Sequence, residues 1–327
     1  MTMWAAVLAA LVTVSQCASG SYKYTEQASW DGACQDGLQQ SPIDVSTIHD
    51  TVYYTSAFPP LPSSQLLSFY HQADMTISYS VTGNPVVKMP PSWPVGSVVG
   101  LKLLNVHLHW GGSSADGSEH LLFGDRFQGE IHIVTRNLDQ NNVESDDYYS
   151  VLGALLQEDN SVAAESKASK VLRTMVMETP VEGDTLANIN LQDLYSMDHH
   201  SIFTYEGSLT TPGCNEHVFW HLFEKPLIIK NDVMAKLRAY KSIGKTFRDT
   251  QALGNRVITH RLLEEKFNSP PRGAVGMKSM TDPDADICVW DCGAQMYKCY
   301  YGLSGAGRAA AAAHVTILLS LVFFFLA

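Results

Sequence analysis

Apolar and polar residues alternate with a period of two in several segments of the chain, and this period is typical of β-strands with one buried face. In "GEIHIVTRN", Glu130, His132 and Val134 fall on one face, and isoleucines fall between them on the other. The segment "HVFWHLF" alternates in the same way. Strand-like segments outnumber helical ones, so the pattern predicts a mainly β protein.

One segment has a clear helical pattern. Val233, Leu237 and Tyr240 follow the i, i+4, i+7 spacing of a helix face. Asn231 precedes them, and asparagine is favoured at helix N-caps. We therefore predict a helix here, with Asn231 as its N-cap.

Both ends of the chain have the pattern of processing signals. The apolar run "MTMWAAVLAALVTV" and the small residues "SQCASG" predict a secretory signal peptide over 1–20 rather than a buried helix. At the other end, small residues at 304–306, a spacer and an uncharged apolar tail predict a glycosylphosphatidylinositol (GPI) signal over 306–327. The expected location is extracellular, at the cell surface on a lipid anchor. A single-pass membrane helix and simple secretion are the alternatives.

Length and composition favour one large domain between these ends. The chain has 327 residues, of which 45% are apolar, enough for a large core. We expect a continuous domain over 21–268, followed over 269–305 by a Cys-containing linker or stalk that begins "SPPRGAVG". Lys plus Arg total 22 against 33 Asp plus Glu, giving a net charge of −11 without a basic block. This charge argues against nucleic acid as a partner.

The six cysteines fit an exported chain, because disulfides persist in oxidising compartments. Cys17 would leave with the signal peptide. The five that remain are an odd number, so at least one is free or pairs between chains. The pairing among Cys288, Cys292 and Cys299 stays open at this level.

The candidate chemistry begins in "NVHLHWGG" at 105–112, where His107 and His109 alternate along a strand-like run. Side chains two residues apart on a strand emerge on the same face, about 6 to 7 Å apart, so both imidazoles can converge on one metal ion. Two histidines of an ordinary core would give the same pattern.

A second segment strengthens the metal interpretation. Glu130-Ile131-His132 adds another imidazole on a separate strand, with a carboxylate on the same face. Three neutral imidazoles with an open fourth position are typical of catalytic zinc. Glu130 is a candidate to hold the second ring nitrogen of a ligand.

Six motifs in order carry a resemblance to a known family. They are "QSPID" at 40–44, "HLHWG" at 107–111, "SEH" at 118–120, "EIHIV" at 130–134, "YEGSLTTPGC" at 205–214 and "FRDTQAL" at 247–253. Over about Tyr22 to Lys266 the chain resembles an α-class carbonic anhydrase. The resemblance implies a central twisted, mostly antiparallel sheet of about ten strands with peripheral helices. It also implies a Zn²⁺ cofactor held by His107, His109 and His132.

The implied activity is the reversible hydration of CO₂ to bicarbonate and a proton by zinc-bound hydroxide. Thr210 would accept the hydroxide hydrogen and donate its own to Glu119, and its N–H would contact bicarbonate or an anionic inhibitor. Thr211 would line the same wall, and sulfonamides are the other expected inhibitors. The implied CO₂ pocket is apolar and consists of Val134, Val151, Leu209, Val218 and Trp220.

The chain departs from the family pattern at two positions near the expected site. Asn84, in "TGNPV", occupies the position where fast members carry a proton-relaying histidine. Asparagine cannot titrate, so we expect slow proton transfer unless His71, His199 or His200 substitutes. Asn105 occupies the position of a glutamine that steadies the first histidine ligand, and it is one methylene shorter.

The resemblance also bears on two cysteines. Cys34 and Cys214 match the pair that is bridged in exported members of the family. The bridge would tether the loop that bears Thr210, and the alternative is two buried thiols.

Other classes of function make different demands on these residues. A non-catalytic relative, acting as a binding module, would be expected to lack a zinc histidine. A cupin-type metal oxygenase also begins with H-x-H on a strand, but its Glu should follow within about five residues. Here Glu119 lies ten residues after His109. A zinc esterase would use the same hydroxide and remains open as a side activity.

Overall fold

The structure is a computed structural model of the chain. It describes residues 22–54, 58–71, 76–90, 98–114, 116–139, 144–161, 165–178, 184–194, 201–240, 244–263, 287–291 and 296–300.

Strands dominate the described residues. In chain order they are β1 Asp44–Val45, β2 Asp50–Tyr54, β3 Gln65–His71, β4 Ile77–Val81, β5 Val86–Lys88, β6 Gly100–Trp110, β7 Leu121–Leu122, β8 Asp125–Arg126, β9 Gly129–Leu138, β10 Glu144–Glu158, β11 Thr185–Ile189, β12 Ser201–Ser208, β13 Glu216–Ile229, β14 Thr259–Leu263, β15 Ile287–Asp291 and β16 Met296–Tyr300. The helices are α1 Ala33–Asp36, α2 Lys167–Glu178, α3 Leu191–Leu194 and α4 Asn231–Ala239, with a 3₁₀ turn at Gln27–Ser29.

One large sheet contains most of these strands. Its order is β11-β3-β4-β6-β9-β10-β13-β12-β14-β2, and β5 adds an eleventh strand by pairing with β6. The pairs β10–β13 and β14–β2 are parallel, and the other neighbours are antiparallel. This architecture confirms the predicted mainly β fold with a mostly antiparallel sheet of about ten strands and few helices.

The two faces of the sheet are buried against different groups. On one face of β6 and β9, Val106, Leu108 and Ile131 have no exposed surface and belong to the larger apolar core, which α2 and α4 also join. Because side chains alternate along a strand, the residues between them, including His107 and His132, lie on the opposite face. The central strands therefore separate the main core from the candidate site.

The predicted helix is confirmed as α4, in which Val233 and Leu237 are fully buried. The predicted cap was wrong. The N-cap is Lys230, whose backbone is extended, and it makes no side-chain capping bond. Asn231 is already helical, and its N–H donates to Oδ1 of Asn160 at 3.1 Å. A tertiary partner thus satisfies one of the N–H groups that the first turn of a helix leaves without an intrahelical acceptor.

The predicted terminal signals at 1–20 and 306–327 lie outside the described residues. Among the residues that are described, no helix is long and apolar enough to cross a bilayer. Within the segment predicted as a linker or stalk, β15 and β16 form a separate two-stranded sheet.

Candidate active site

The ladder between β6 and β9 brings the three predicted histidines together. His107 lies directly opposite His132, and His109 follows two residues along β6 on the same face. Nδ1 of His132 lies 3.1 Å from Nε2 of His109 and 3.2 Å from Nε2 of His107. The three rings therefore direct one nitrogen each to a common region.

Two of these rings are fixed through their other nitrogen by strong acceptors. The Thr246 carbonyl oxygen lies 2.6 Å from Nδ1 of His109, and Oε1 of Glu130 lies 2.7 Å from Nε2 of His132. A carbonyl or an ionised carboxylate can only accept a hydrogen bond, so these ring nitrogens carry the hydrogen. The converging nitrogens are consequently left with free lone pairs.

The third ring is fixed by a neutral amide. Oδ1 of Asn105 lies 2.9 Å from Nδ1 of His107, two residues away on the same face of β6. The Asn105 amide therefore reaches His107, although the family resemblance implies the longer glutamine at this position.

Burial keeps the three imidazoles neutral. It lowers the pKa of His107 well below its ordinary value, and the neighbouring His109 and His132 lower it further. Burial and then His132 lower the pKa of His109 to about 3. The pKa of His132 is also lowered by burial, although Glu130 opposes the shift. Neutral imidazoles are the form that binds metals.

The spacing of the nitrogens fits a tetrahedral zinc ion. Zinc–nitrogen bonds of about 2.0 to 2.1 Å at tetrahedral angles place ligand nitrogens about 3.3 Å apart. The two separations of 3.1 and 3.2 Å agree with this value, and all three ligand atoms lie within 4.8 Å of one another. Nitrogen ligands with anchored second nitrogens are the donor set that Zn²⁺ prefers.

Glu130 is the centre of a buried hydrogen-bond network. Its Oε1 accepts from His132 and from Nδ1 of His120, each at 2.7 Å, and its Oε2 accepts the N–H groups of Glu119 and His120 at 2.8 Å. Burial alone would raise the pKa of this carboxyl, but His120 and His132 hold it well below its usual range. Glu130 is therefore ionised and orients the His132 ring.

The network continues beyond Glu130. Nε2 of His120 lies 2.6 Å from the Tyr205 hydroxyl, which lies 2.8 Å from Oγ of Ser41. Ser41 in turn accepts the Ser208 N–H at 3.0 Å. This chain connects the metal-facing strand β9 to the motif "QSPID" and to the end of β12.

Glu119 lies beside the histidine cluster. Its Oε1 is 3.4 Å from Nδ1 of His109 and accepts the N–H of Arg248 at 2.8 Å. Burial and Glu130 raise the pKa of Glu119 well above its usual range, while the Arg248 N–H and the Thr210 hydroxyl oppose the rise. Among the described residues, Oε2 of Glu119 has no hydrogen-bond partner of full geometry, but the Thr210 hydroxyl lies close enough to this carboxyl to lower its pKa.

The loop that carries Thr210 and Thr211 is closed at its base. Leu209 N–H donates to the Asn215 carbonyl at 2.9 Å, and the predicted disulfide joins Cys34 to Cys214. Thr210 is buried. The disulfide links this loop to the N-terminal segment, as the resemblance implies.

The predicted apolar residues form a wall on the same face as the histidines. Val134, Val151 and Trp220 lie side by side across β9, β10 and β13. The Trp220 ring centroid is 4.9 Å from that of His132. Val218 and Leu209 belong to the same apolar cluster, which is distinct from the larger core.

Asn84 lies in the turn after β4. Its backbone has φ of 43°, a left-handed conformation that asparagine tolerates better than most residues, and its Nδ2–H donates to the Leu103 carbonyl at 2.8 Å. The structure describes only the backbone of His71, one of the histidines predicted to carry protons in place of Asn84. The other two, at 199–200, lie outside the described residues.

Sequence reasoning missed three contributors to this site. Thr246 acts through its carbonyl oxygen, for which a side-chain pattern gives no signal. His120 was recognised only as part of the motif "SEH", although its position next to Glu119 was a usable clue. Tyr205, which extends the network, was recognised only as the first residue of the motif "YEGSLTTPGC".

Comparison with known proteins agrees with this geometry. The profile of the eukaryotic-type carbonic anhydrases matches residues 25–262. The chain belongs to this family. Mouse carbonic anhydrase 6 is 29% identical over 244 residues, which cover 69% of this chain and 74% of the mouse protein. Mouse carbonic anhydrase 4 is 28% identical over 213 residues, 61% of this chain and 65% of its own length. A Caenorhabditis elegans protein with a carbonic anhydrase name is 29% identical over 238 residues, 68% of this chain and 90% of its own.

Membership confirms the resemblance drawn from the six motifs and makes this chain a carbonic anhydrase enzyme of a zinc-dependent family. The three histidines of β6 and β9 form its candidate metal-binding group.

Proposed function

We propose that this carbonic anhydrase catalyses the reversible hydration of CO₂ to bicarbonate and a proton with Zn²⁺ at His107, His109 and His132. The observation that carries the proposal is the set of three neutral imidazoles whose second nitrogens are tied to acceptors. When bound, Zn²⁺ lowers the pKa of a coordinated water and supplies a nucleophile at neutral pH, an effect for which carbonic anhydrase is the standard example.

Thr210 and Glu119 orient the attack. The Thr210 hydroxyl donates its hydrogen to the Glu119 carboxylate, so its oxygen is left to accept the hydrogen of the nucleophile. A divalent cation close by favours the ionised form of Glu119, which offsets the effect of its burial. The Thr210 N–H binds bicarbonate or an anionic inhibitor, with Thr211 beside it.

The apolar wall holds CO₂. This substrate offers little to hydrogen-bond, so an apolar surface formed by Val134, Val151 and Trp220, with Val218 and Leu209 nearby, suits it and keeps competing polar molecules away. Proton release then depends on solvent buffers, because Asn84 cannot carry a proton at the relay position.

The proposal also covers the cellular location of the enzyme. The Cys34–Cys214 bond indicates an oxidising compartment. Together with the terminal signals at 1–20 and 306–327, it supports export of a domain over 21–268 and attachment at the cell surface by a lipid. Release by a phosphatidylinositol-specific phospholipase would support the anchor, and retention in the membrane would favour a spanning helix.

Stopped-flow CO₂ hydration by the purified secreted chain tests the reaction. We expect activity in proportion to zinc content, loss after chelation, recovery with Zn²⁺, and inhibition by a sulfonamide. His132→Ala should abolish zinc retention, whereas Ser78→Ala, opposite His107 on β4, serves as a matched control. Zinc-loaded protein without CO₂ hydration would contradict the proposal, and recovery only with iron would favour an oxygenase.

A further inference from the structure

The two-stranded sheet of β15 and β16 contains two of the cysteines whose pairing the sequence left open. Within the described part of the chain, these strands pair with each other, antiparallel, and not with the large sheet. A two-stranded hairpin by itself is marginally stable in water. A further constraint on this hairpin is therefore expected.

The register of the two strands provides the geometry for such a constraint. Cys288 lies directly opposite Cys299 in the ladder. Opposite residues of an antiparallel pair have Cα atoms about 4.5 to 5.5 Å apart, within the range of about 4.4 to 6.8 Å that a disulfide spans. The described ladder of β15 ends at Asp291, so Cys292 lies outside the described residues.

We propose that Cys288 and Cys299 form a cross-strand disulfide that staples this hairpin. Two thiols lose two protons and two electrons as the sulfur–sulfur bond forms. A disulfide-bearing oxidant of the secretory pathway accepts them by thiol–disulfide exchange and becomes a dithiol. The Cys34–Cys214 bond of the same chain requires an oxidant of the same class.

The neighbouring register position supports the same arrangement. Trp290 lies directly opposite Tyr297, two register positions from the cysteine pair. Cross-strand aromatic pairs stabilise antiparallel strands and hold their register. The staple would turn part of the predicted linker over 269–305 into a compact spacer and leave Cys292 as the odd thiol.

Disulfide mapping of the full secreted chain tests the proposal. Thiols are blocked with N-ethylmaleimide at acid pH, and the unreduced protein is cut with trypsin and with a protease that cleaves before aspartate. The sequence separates the three cysteines: Cys288 falls in 286–290, Cys292 in 291–298, and Cys299 in the peptide that begins at 299. We expect the peptides that contain Cys288 and Cys299 to be linked. The peptide that contains Cys292 should carry maleimide or be linked to a second copy of the chain.

A link from Cys292 to Cys288 or Cys299 within one chain would overturn the proposal. So would maleimide on all three cysteines while the Cys34–Cys214 link, the internal standard for oxidation, is intact. Cys288→Ser and Cys299→Ser should each expose one additional reactive thiol and speed native trypsin cleavage after Lys298 several-fold. Cys292→Ser, the matched control, should leave the link and the cleavage rate unchanged.

Discussion

At the scale of single residues, the three candidate ligands differ in what holds them. His132 is fixed by an ionised carboxylate and His109 by a backbone carbonyl, whereas His107 relies on the neutral amide of Asn105. Hydrogen bonds to charged groups are stronger than those between neutral ones. The His107 ring is therefore the ligand whose orientation depends most on one replaceable side chain.

Removal of the Asn105 amide should weaken zinc binding. Loss of a group that orients a metal ligand typically lowers metal affinity about 10- to 100-fold. We expect this for Asn105→Ala in a competition assay between the enzyme and a chromophoric chelator. Asn105→Gln should retain most of the affinity, and Ser80→Ala, directly opposite on β4, should leave it unchanged. Equal affinity in Asn105→Ala and wild type would show that the amide does not hold His107.

Asn84 should limit the rate of proton release. An imidazole buffer should raise the turnover of the wild-type enzyme, because it supplies the titratable group that Asn84 lacks. Asn84→His should raise turnover at low buffer concentration and reduce the response to imidazole. Stopped-flow rates over a buffer series measure both effects. Turnover of the wild type that does not respond to imidazole would mean that another group carries the proton.

At the scale of elements, the loop after β12 depends on a distant segment for its position. Cys214 is 180 residues from Cys34 and fully buried, and Gly213 pairs with Gly32 in an isolated bridge. A Cβ on Gly32 would lie 3.2 Å from the Gly213 carbonyl oxygen, a tight contact, and the left-handed φ of 65° at Gly32 also disfavours a side chain there. The position of Thr210 therefore depends on the N-terminal segment as well as on β12.

The double variant Cys34→Ser/Cys214→Ser should be less stable and less active. A cross-link that closes a loop of this length contributes at most about 5 kcal/mol in the chain-entropy model. We expect a lower free energy of unfolding in urea, and a lower kcat with zinc content unchanged, because the Thr210 loop loses its tether while the histidines lie on other strands. A loss of zinc in step with activity would instead indicate general unfolding.

At the scale of the whole molecule, acid should destabilise the fold through a histidine remote from the metal ligands. Burial and then Arg261 lower the pKa of His221 to about 3, and its ring packs against Phe58 and Phe219. Its pKa in the unfolded chain is about 6.5. The folded state binds the proton less readily, so the stability that His221 contributes is complete above about pH 6.5 and is lost as the pH falls toward 3.

His221→Leu should reduce this pH dependence. One such group removes about 1.4 kcal/mol per pH unit within its window. Urea unfolding of wild type and variant between pH 7.5 and 5.5 measures the difference in slope. His217→Leu, at an exposed position, is the control. Parallel slopes for wild type and His221→Leu would contradict the prediction.

Sequence patterns were most informative where the chemistry needs a fixed local spacing. The H-x-H pair and Glu130-x-His132 each require only that alternate residues of a strand share a face, and the ladder between β6 and β9 brings both pairs together. The helix prediction was right about the apolar face of α4, because burial follows a local period. It was wrong about the cap, because the helix begins at Asn231 itself, whose N–H donates to Asn160 from another segment.

The sequence alone therefore determined the mainly β architecture, the identity of the three imidazoles and the cysteine pair that the family resemblance implies. Only the tertiary structure decided what fixes each imidazole: the Thr246 carbonyl approaches from 137 residues away, and Glu130 on β9 is joined by His120 from the loop before β7 and, through His120, by Tyr205 from β12. The physical reason is that a backbone carbonyl has no sequence signature, and a hydrogen bond between distant segments depends on register and packing rather than on local periodicity.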